Sequence, residues 1–301
     1  MKEPILSIIV ANRNYGRFLG EALSSIEAQC GVPVVGADGR ARLPLEEYGL
    51  IEIIVVDGAS TDNSVDVIKR HADHIAWWVS EPDRGQSDAF NKGFAQAKGT
   101  YLTWLNADDL YLPGSLLSVV EKLRANPSAS WATGNFIRFT ETDKKIIQAE
   151  WGPHYLPYAF QGRHFPLMIF GPTTFWRRDV FEKLGGLEVS LHYGMDTEYW
   201  WRLTVNGYKQ VRVNHCCWAF RMHTDSKTAE YGDHRNTDEV QQKKTAEYYY
   251  FVKKHHVAIN RWAHLMLRLW RIVDGSYFVN LWRRWFIVGR PFKVNVLEGA
   301  H

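Results

Sequence analysis

The chain has 301 residues, 46% hydrophobic and 23% charged, which suits a globular protein with one large α/β domain and an appendage. Its formal net charge of +3 makes no electrostatic case for nucleic acid as a partner. Aromatic residues reach 14%, with 13 Trp, a content that serves sugar faces and membrane interfaces as well as cores.

In chain order, residues 5–11 form a continuous apolar run that stops at Asn12-Arg13-Asn14, the pattern of a strand buried on both faces. Phe18, Leu19, Ala22, Leu23 and Ile26 follow at helical spacing within residues 16–29. The stretch from Gly31 to Gly49 is rich in Gly and Pro without periodicity, and a surface excursion is expected there. A second strand over residues 51–56 runs into Asp57-Gly58-Ala59-Ser60-Thr61-Asp62. Thr61 or Asp62 is placed to cap the next helix, which carries Val65, Val67 and Ile68. A short strand near residues 75–79 leads to Glu81-Pro82-Asp83-Arg84-Gly85 and a helix through Ala89, Phe90, Phe94 and Ala97. Another strand, over residues 100–105, ends at Asn106-Ala107-Asp108-Asp109, and Pro113 opens the following helix. This alternation predicts an α/β fold with a mostly parallel twisted sheet, right-handed crossovers and flanking helices.

After Trp131 the pattern loosens. Residues 150–170 are dense in Pro, Gly, His and aromatics, as expected of a substrate-facing loop region. From residue 236 onward the chain reads helical, basic and aromatic, so a domain over 1–235 and a helical extension over 236–301 are expected. Cys30, Cys216 and Cys217 have neither metal-ligand spacing nor the count of a disulfide framework, which points to a reducing, cytoplasmic setting. The opening apolar run is too short for a signal peptide, and no stretch reaches the roughly 20 apolar residues of a membrane span.

Polar or acidic groups arrive repeatedly at the carboxyl ends of the strands: Asn12 and Asn14, Asp57, Asp83, Asp108 and Asp109. Ligands of open parallel sheets bind at that edge. Carboxylates gathered there repel one another unless a hard divalent cation, Mg2+ or Mn2+, binds among them, and such an ion can also hold a diphosphate. Each Asp could instead cap the helix that follows it. Neither Gly-rich phosphate-loop pattern follows a strand, which disfavours kinases and dinucleotide enzymes.

Together with Ser7-Ile8-Ile9-Val10, three blocks carry a resemblance: Ile53-Ile54-Val55-Val56-Asp57-Gly58-Ala59-Ser60-Thr61-Asp62, Glu81-Pro82-Asp83-Arg84-Gly85-Gln86-Ser87-Asp88, and Trp104-Leu105-Asn106-Ala107-Asp108-Asp109. With Met195-Asp196-Thr197-Glu198-Tyr199-Trp200-Trp201-Arg202-Leu203, these motifs in this order resemble glycosyltransferase family 2, whose members have the GT-A fold. The resemblance spans about residues 5–230 and implies a donor-binding half near 1–112 and an acceptor half near 113–235. It implies that Asp57 accepts a hydrogen bond from the base of a nucleotide-sugar donor, with Asn12, Asp83, Arg84 and Asp88 in the same pocket. Asn106-Ala107-Asp108 matches the family's D-x-D element with Asn in first place, making Asp108 the chief ligand of Mn2+ or Mg2+. His223 looks like the later histidine that reaches back to the metal in some relatives.

Asp196 matches the family's catalytic base, although the usual preceding Glu is Met195 here. An inverting transfer needs one carboxylate to take the acceptor hydroxyl's proton. Glu198, two residues on, points elsewhere from a helix start and is the second candidate. Trp151, Tyr155, Tyr158 and His164 are candidate acceptor contacts. In the extension, Lys and Arg interleave with Trp and Leu; such a helix either lies on an anionic membrane or packs on the protein. The implied function is inverting transfer of a sugar, by family habit from a UDP-sugar, to a glycan or lipid-linked glycan. A sugar nucleotidyltransferase and a non-catalytic carbohydrate-binding protein are the alternatives.

Overall fold

A computed structural model describes residues 4–29, 34–35, 41–42, 50–150, 171–226, 238–255, 265 and 269–292. The sheet starts with four parallel strands. β1 (Pro4–Asn12) lies between β4 (Leu50–Asp57) and β6 (Tyr101–Asn106), and β5 (Trp77–Ser80) flanks β4. Between β1 and β4 the chain forms the small hairpin β2 (Val34–Val35) and β3 (Ala41–Arg42). Leu6, Ile8, Ile9 and Val10 are fully buried because helices cover both faces of β1. The pleat divides them: Ile8 and Val10 join one core with Leu19, Leu23 and Ile26 of α1 (Gly16–Glu27), whereas Ile9 joins Phe90 and Phe94 of α3 (Gln86–Phe94) on the other. Gly93 faces Ile9, where a Cβ would collide with that side chain.

The expected cap at Asp62 serves two helices. Its carboxylate accepts the N–H of Ser64 at 3.0 Å, at the start of α2 (Ser64–Arg70), and the N–H of Gly16 at 2.9 Å, at the start of α1. α4 (Ser115–Arg124) begins two residues after Pro113, because Gly114 turns into the left-handed region at φ +73° before it.

The second half of the sheet is mixed. β8 (Trp131–Thr140) runs parallel to β11 (Gln210–Met222), and β10 (Thr174–Arg177) inserts antiparallel between β6 and β8. β7 (Leu110–Tyr111) and β9 (Ile146–Glu150) pair antiparallel with β11 and β8. The polar groups of β8 are covered from within: Arg212 donates to Thr133 Oγ1 at 2.7 Å and to Asn135 Oδ1 at 2.9 Å. α5 (Arg178–Leu184) and α6 (Met195–Val205) complete the second core around Trp104, Trp176, Tyr199 and Trp200.

The C-terminal extension packs on this domain. From α7 (Asp238–Lys254), Phe251 meets Trp201 edge-on at 5.7 Å, and Lys254 pairs with Glu188 at 2.6 Å. After α8 (Ser276–Ile287), the chain runs against β9: Gly289 N–H donates to Ile146 O at 2.7 Å, and Phe292 stacks on Phe139 at 4.1 Å. Among the described residues no helix is long and apolar enough to cross a membrane.

Candidate active site

The ends of β1, β4 and β5 are stitched together by side chains. Asp57 is fully buried and accepts from Asn12 Nδ2 at 2.6 Å, Ser60 N–H at 2.9 Å, Ser60 Oγ at 2.5 Å and Ser80 Oγ at 2.6 Å. Four donors thus fill its oxygens, and Asp57 stands behind the cleft wall rather than in it. Asn14 takes a left-handed backbone at φ 57°, and its Oδ1 accepts the Thr61 N–H at 2.8 Å. The loops after β1 and β4 are therefore tied to each other.

The cleft encloses about 780 Å3 between the two halves of the sheet. Asn12, Asp83, Asn106, Asp108 and Asp196 line it. Arg84 and Asp88 do not. They pair with each other at 2.8 Å at the entry to α3, with the Arg84 side chain 76% exposed, and the Arg84 guanidinium holds the Asp88 carboxyl below its ordinary range. Asp83 accepts the Gly85 N–H at 2.8 Å and fixes the entry to α3.

Asn106 is held from both sides: its Oδ1 accepts from Gln86 Nε2 at 2.8 Å, and its Nδ2 donates to Asp109 at 2.8 Å. Gln86 lies in a motif block that gave it no role; its signal was its position one residue past the Asp83–Gly85 turn. Asp109 points inward, and burial, then the neighbouring Asp108 charge, push its carboxyl well above the ordinary range. Asp108 faces His223, with Oδ2 and Nε2 3.1 Å apart and both residues 8% exposed. The imidazole is wedged against Phe18 at 4.6 Å and Tyr15 at 5.5 Å. Burial, and next the Asp108 charge, raise the Tyr15 phenol far above its usual range.

Arg221, beside His223 in sequence, organises the same corner. It is fully buried between the rings of Phe18 and Phe139, donates to the Asp108 carbonyl at 2.8 Å, and reaches Glu21 at 2.6 Å and Glu141 at 2.5 Å. Its backbone N–H donates to Asp109 at 3.0 Å. Nothing in residue spacing announced this contact, since 113 positions separate Arg221 from Asp108.

A divalent cation fits the Asp108–His223 pair. Oxygen and imidazole donors converge there from two elements, and the remaining positions of a hard cation suit diphosphate and water. No cluster of three or more His, Cys, Asp or Glu that could hold a metal occurs among the described residues.

On the opposite wall, Asp196 sits in the first turn of α6 and accepts the Thr197 N–H at 2.6 Å. Glu198 is turned away from the cleft and fully buried, bound by Arg202 Nε at 2.9 Å and His255 Nε2 at 2.9 Å. It joins α6 to α7. A second carboxylate that the sequence did not single out, Glu247 of α7, accepts three successive backbone N–H groups before α6: His192 at 2.7 Å, Tyr193 at 2.8 Å and Gly194 at 3.0 Å. An anion at a helix N-terminus is favoured by the helix dipole as well. Glu247→Ala is expected to destabilise the fold by about 1.5–3 kcal/mol, the worth of charge-assisted bonds, and to lower turnover through the loosened Asp196 turn. Thermal melting and kcat on the same preparations check this, with Glu247→Gln intermediate. Trp151, Tyr155, Tyr158 and His164 lie outside the described residues.

Residues 7–185, more than half of the chain, match the family described as Glycosyl transferase family 2. An uncharacterized glycosyltransferase of Nostoc sp. is 36% identical over 119 residues, covering 38% of this chain and 32% of the relative. A PGL/p-HBAD biosynthesis glycosyltransferase of Mycobacterium bovis is 27% identical over 189 residues, covering 62% and 64%. The aligned part of this chain spans from about a third to somewhat under two thirds of such curated relatives. Among solved structures, mannosyltransferase PcManGT from Pyrobaculum calidifontis, in complex with GDP-Man and Mn2+, superposes with a TM-score of 0.55 at 18% identity, covering 99% of this chain and 79% of that one. S. aureus TarS 1-349 with UDP-GlcNAc gives 0.56 at 14% identity, covering 74% and 60%. These two similarities show a shared GT-A fold. With the sequence match extending from β1 through α5, the chain belongs to glycosyl transferase family 2.

Proposed function

We propose that the protein transfers a sugar from a nucleoside-diphosphate sugar to an acceptor hydroxyl with inversion at the anomeric carbon. The observation that carries this reading is the convergence of Asn106, Asp108 and Asp196 on one cleft, with His223 beside Asp108. Solved structures with the same fold hold UDP-GlcNAc, or GDP-Man with Mn2+, which supports a nucleotide-sugar donor and a divalent cation.

In this mechanism Asn106 and Asp83 orient the donor, Asn12 and Asp57 hold the loops around it, and Asp108 and His223 would hold Mn2+ or Mg2+. The cation, when bound, offsets charge on the departing nucleoside diphosphate. Asp196 accepts the acceptor's proton as that oxygen attacks from the face opposite the leaving group. Arg221 fixes the Asp108 backbone, and Glu247 fixes the turn that presents Asp196.

A thermal-shift panel of UDP, GDP and dTDP, each with Mn2+, Mg2+ or chelator, tests the reading. One nucleotide should stabilise the protein only with metal, by about 2.7 kcal/mol at 100 times its Kd. If no nucleoside diphosphate binds with either cation, the protein is not this kind of transferase.

The acceptor is a glycan or lipid-linked glycan brought to the cleft at a membrane surface. α8 supports this because its burial is inverted: polar Ser276 and Asn280 face the protein, whereas Leu281, Trp282 and Trp285 are 57%, 61% and 83% exposed. Arg284 and Arg290 are exposed nearby. Trp rings beside cations suit an anionic bilayer interface. A Trp282→Ser/Trp285→Ser double variant is expected to partition at least ten-fold less onto phosphatidylglycerol vesicles, about 1.4 kcal/mol, with an unchanged melting temperature. Concentration-dependent dimerisation without vesicle binding would assign the face to a second copy instead.

A further inference from the structure

Arg138 is a cleft-lining cation whose charge no ion pair answers among the described residues. It projects from β8 into the acceptor half of the cleft. No carboxylate comes within ion-pair distance of it, and its Nε is buried without a hydrogen-bond partner among the described residues. Burial lowers the basicity of the guanidinium, and the Asp109 and Glu150 charges oppose that shift only from a distance. Guanidinium stays charged in proteins regardless. A partly desolvated cation without an ion-pair partner is costly, and the fold nevertheless holds this one in place: its guanidinium carbon lies 5.0 Å from the Phe220 ring centroid and 5.9 Å from that of Phe136.

The location separates Arg138 from the donor's recognition groups. β8 stands two strands from β6, with β10 between them, roughly 10 Å at the usual strand spacing. The walls beside it are Phe136, Trp218, Phe220 and Pro172, apolar faces suited to sugar rings. A planar fork with open donors between aromatic faces is built to receive a planar or tetrahedral oxyanion in two-point contact.

We propose that Arg138 binds an oxyanion carried by the acceptor, so that the acceptor is an anionic glycan or glycan phosphate rather than a neutral sugar. This rests on the transferase reading above. Two sources share the chemistry: the carboxylate of an acidic sugar, and a phosphate ester linking a sugar to a lipid or polyol.

Direct binding separates this proposal from the transferase reading. Full-length protein saturated with Mn2+ and the nucleoside diphosphate chosen by the panel above is titrated with methyl glucuronide, methyl glucoside, or glycerol phosphate, at low and at moderate salt. Wild type should bind one of the two anions at least ten-fold tighter than the neutral glucoside, with salt weakening that preference. The preferred anion identifies the source. Arg138→Gln should abolish the preference while leaving nucleotide–Mn2+ binding within two-fold, and Arg138→Lys should retain part of it. Arg138→Lys also serves if the Gln variant does not fold. The proposal is overturned by three results: equal binding of charged and neutral probes to wild type, a preference that survives Arg138→Gln, or loss of nucleotide binding in both variants, which would give Arg138 to the donor diphosphate. If no nucleotide binds at all, the transferase reading fails, and the same titrations run without nucleotide still decide whether Arg138 selects an oxyanion.

Discussion

Asp196→Asn is expected to cut turnover by about 10²–10⁴-fold, the worth of a positioned general base, while donor and metal binding stay within two-fold. The substitution keeps the size of the side chain and its bond from the Thr197 N–H, held at 2.6 Å, but removes the proton acceptor. The paired control is Glu198→Gln. Glu198 is fully buried, ion-paired with Arg202 and in hydrogen-bond contact with His255. Its replacement should therefore lower thermal stability, through the lost ion pair with Arg202, more than it lowers turnover by the surviving folded enzyme. Single-turnover rates and nucleotide titrations on both variants separate chemistry from folding. Full activity in Asp196→Asn would falsify the assignment of the base.

Asp108→Asn acts at the other end of the reaction. Asp108 and His223, the proposed cation ligands, stand 3.1 Å apart, and Asn keeps an oxygen but loses the charge that attracts a hard cation. Nucleoside diphosphate affinity measured with Mn2+ should fall at least ~10-fold, the lower end of what even outer groups around a metal contribute. Affinity measured with chelator should barely change. Calorimetry with and without the cation reads both quantities. His223→Ala should move them in the same direction, since it removes the second anchor without disturbing the Arg221 bond to the Asp108 carbonyl, at 2.8 Å. Equal loss of affinity with and without cation would mean that Asp108 shapes the pocket rather than holding a metal.

The first half of the fold was legible because its cause is local. A strand covered on both faces must be a continuous apolar run, and the runs at β1, β4 and β6 each stop at a polar cluster that the sheet brings to one edge. Hence Asn12, Asp83 and Asp108 could be named as strand-end groups, Asn106 and Asp196 through the family resemblance, and all five line the cleft. Other features depend on partners far away in the chain. β8 carries Thr133 and Asn135 inside a buried strand, which periodicity cannot explain until Arg212 supplies their hydrogen bonds. β10 enters between β6 and β8 about 70 residues after the strand it joins. Asp57 and Asp83 look alike as strand-end acids, yet four neighbouring donors close one while the other faces the cleft. Asp196 and Glu198 stand two apart on one helix, and only the docking of α7, through His255 and Glu247, decides which carboxylate is structural and which is left at the cleft. The sequence by itself determined the parallel half of the sheet, the order of its motifs and the residue types at its edge, because burial on two faces writes itself into neighbouring positions. The tertiary structure alone decided which charges are answered, because an ion pair or a hydrogen bond is made in space between residues whose separation along the chain carries no information.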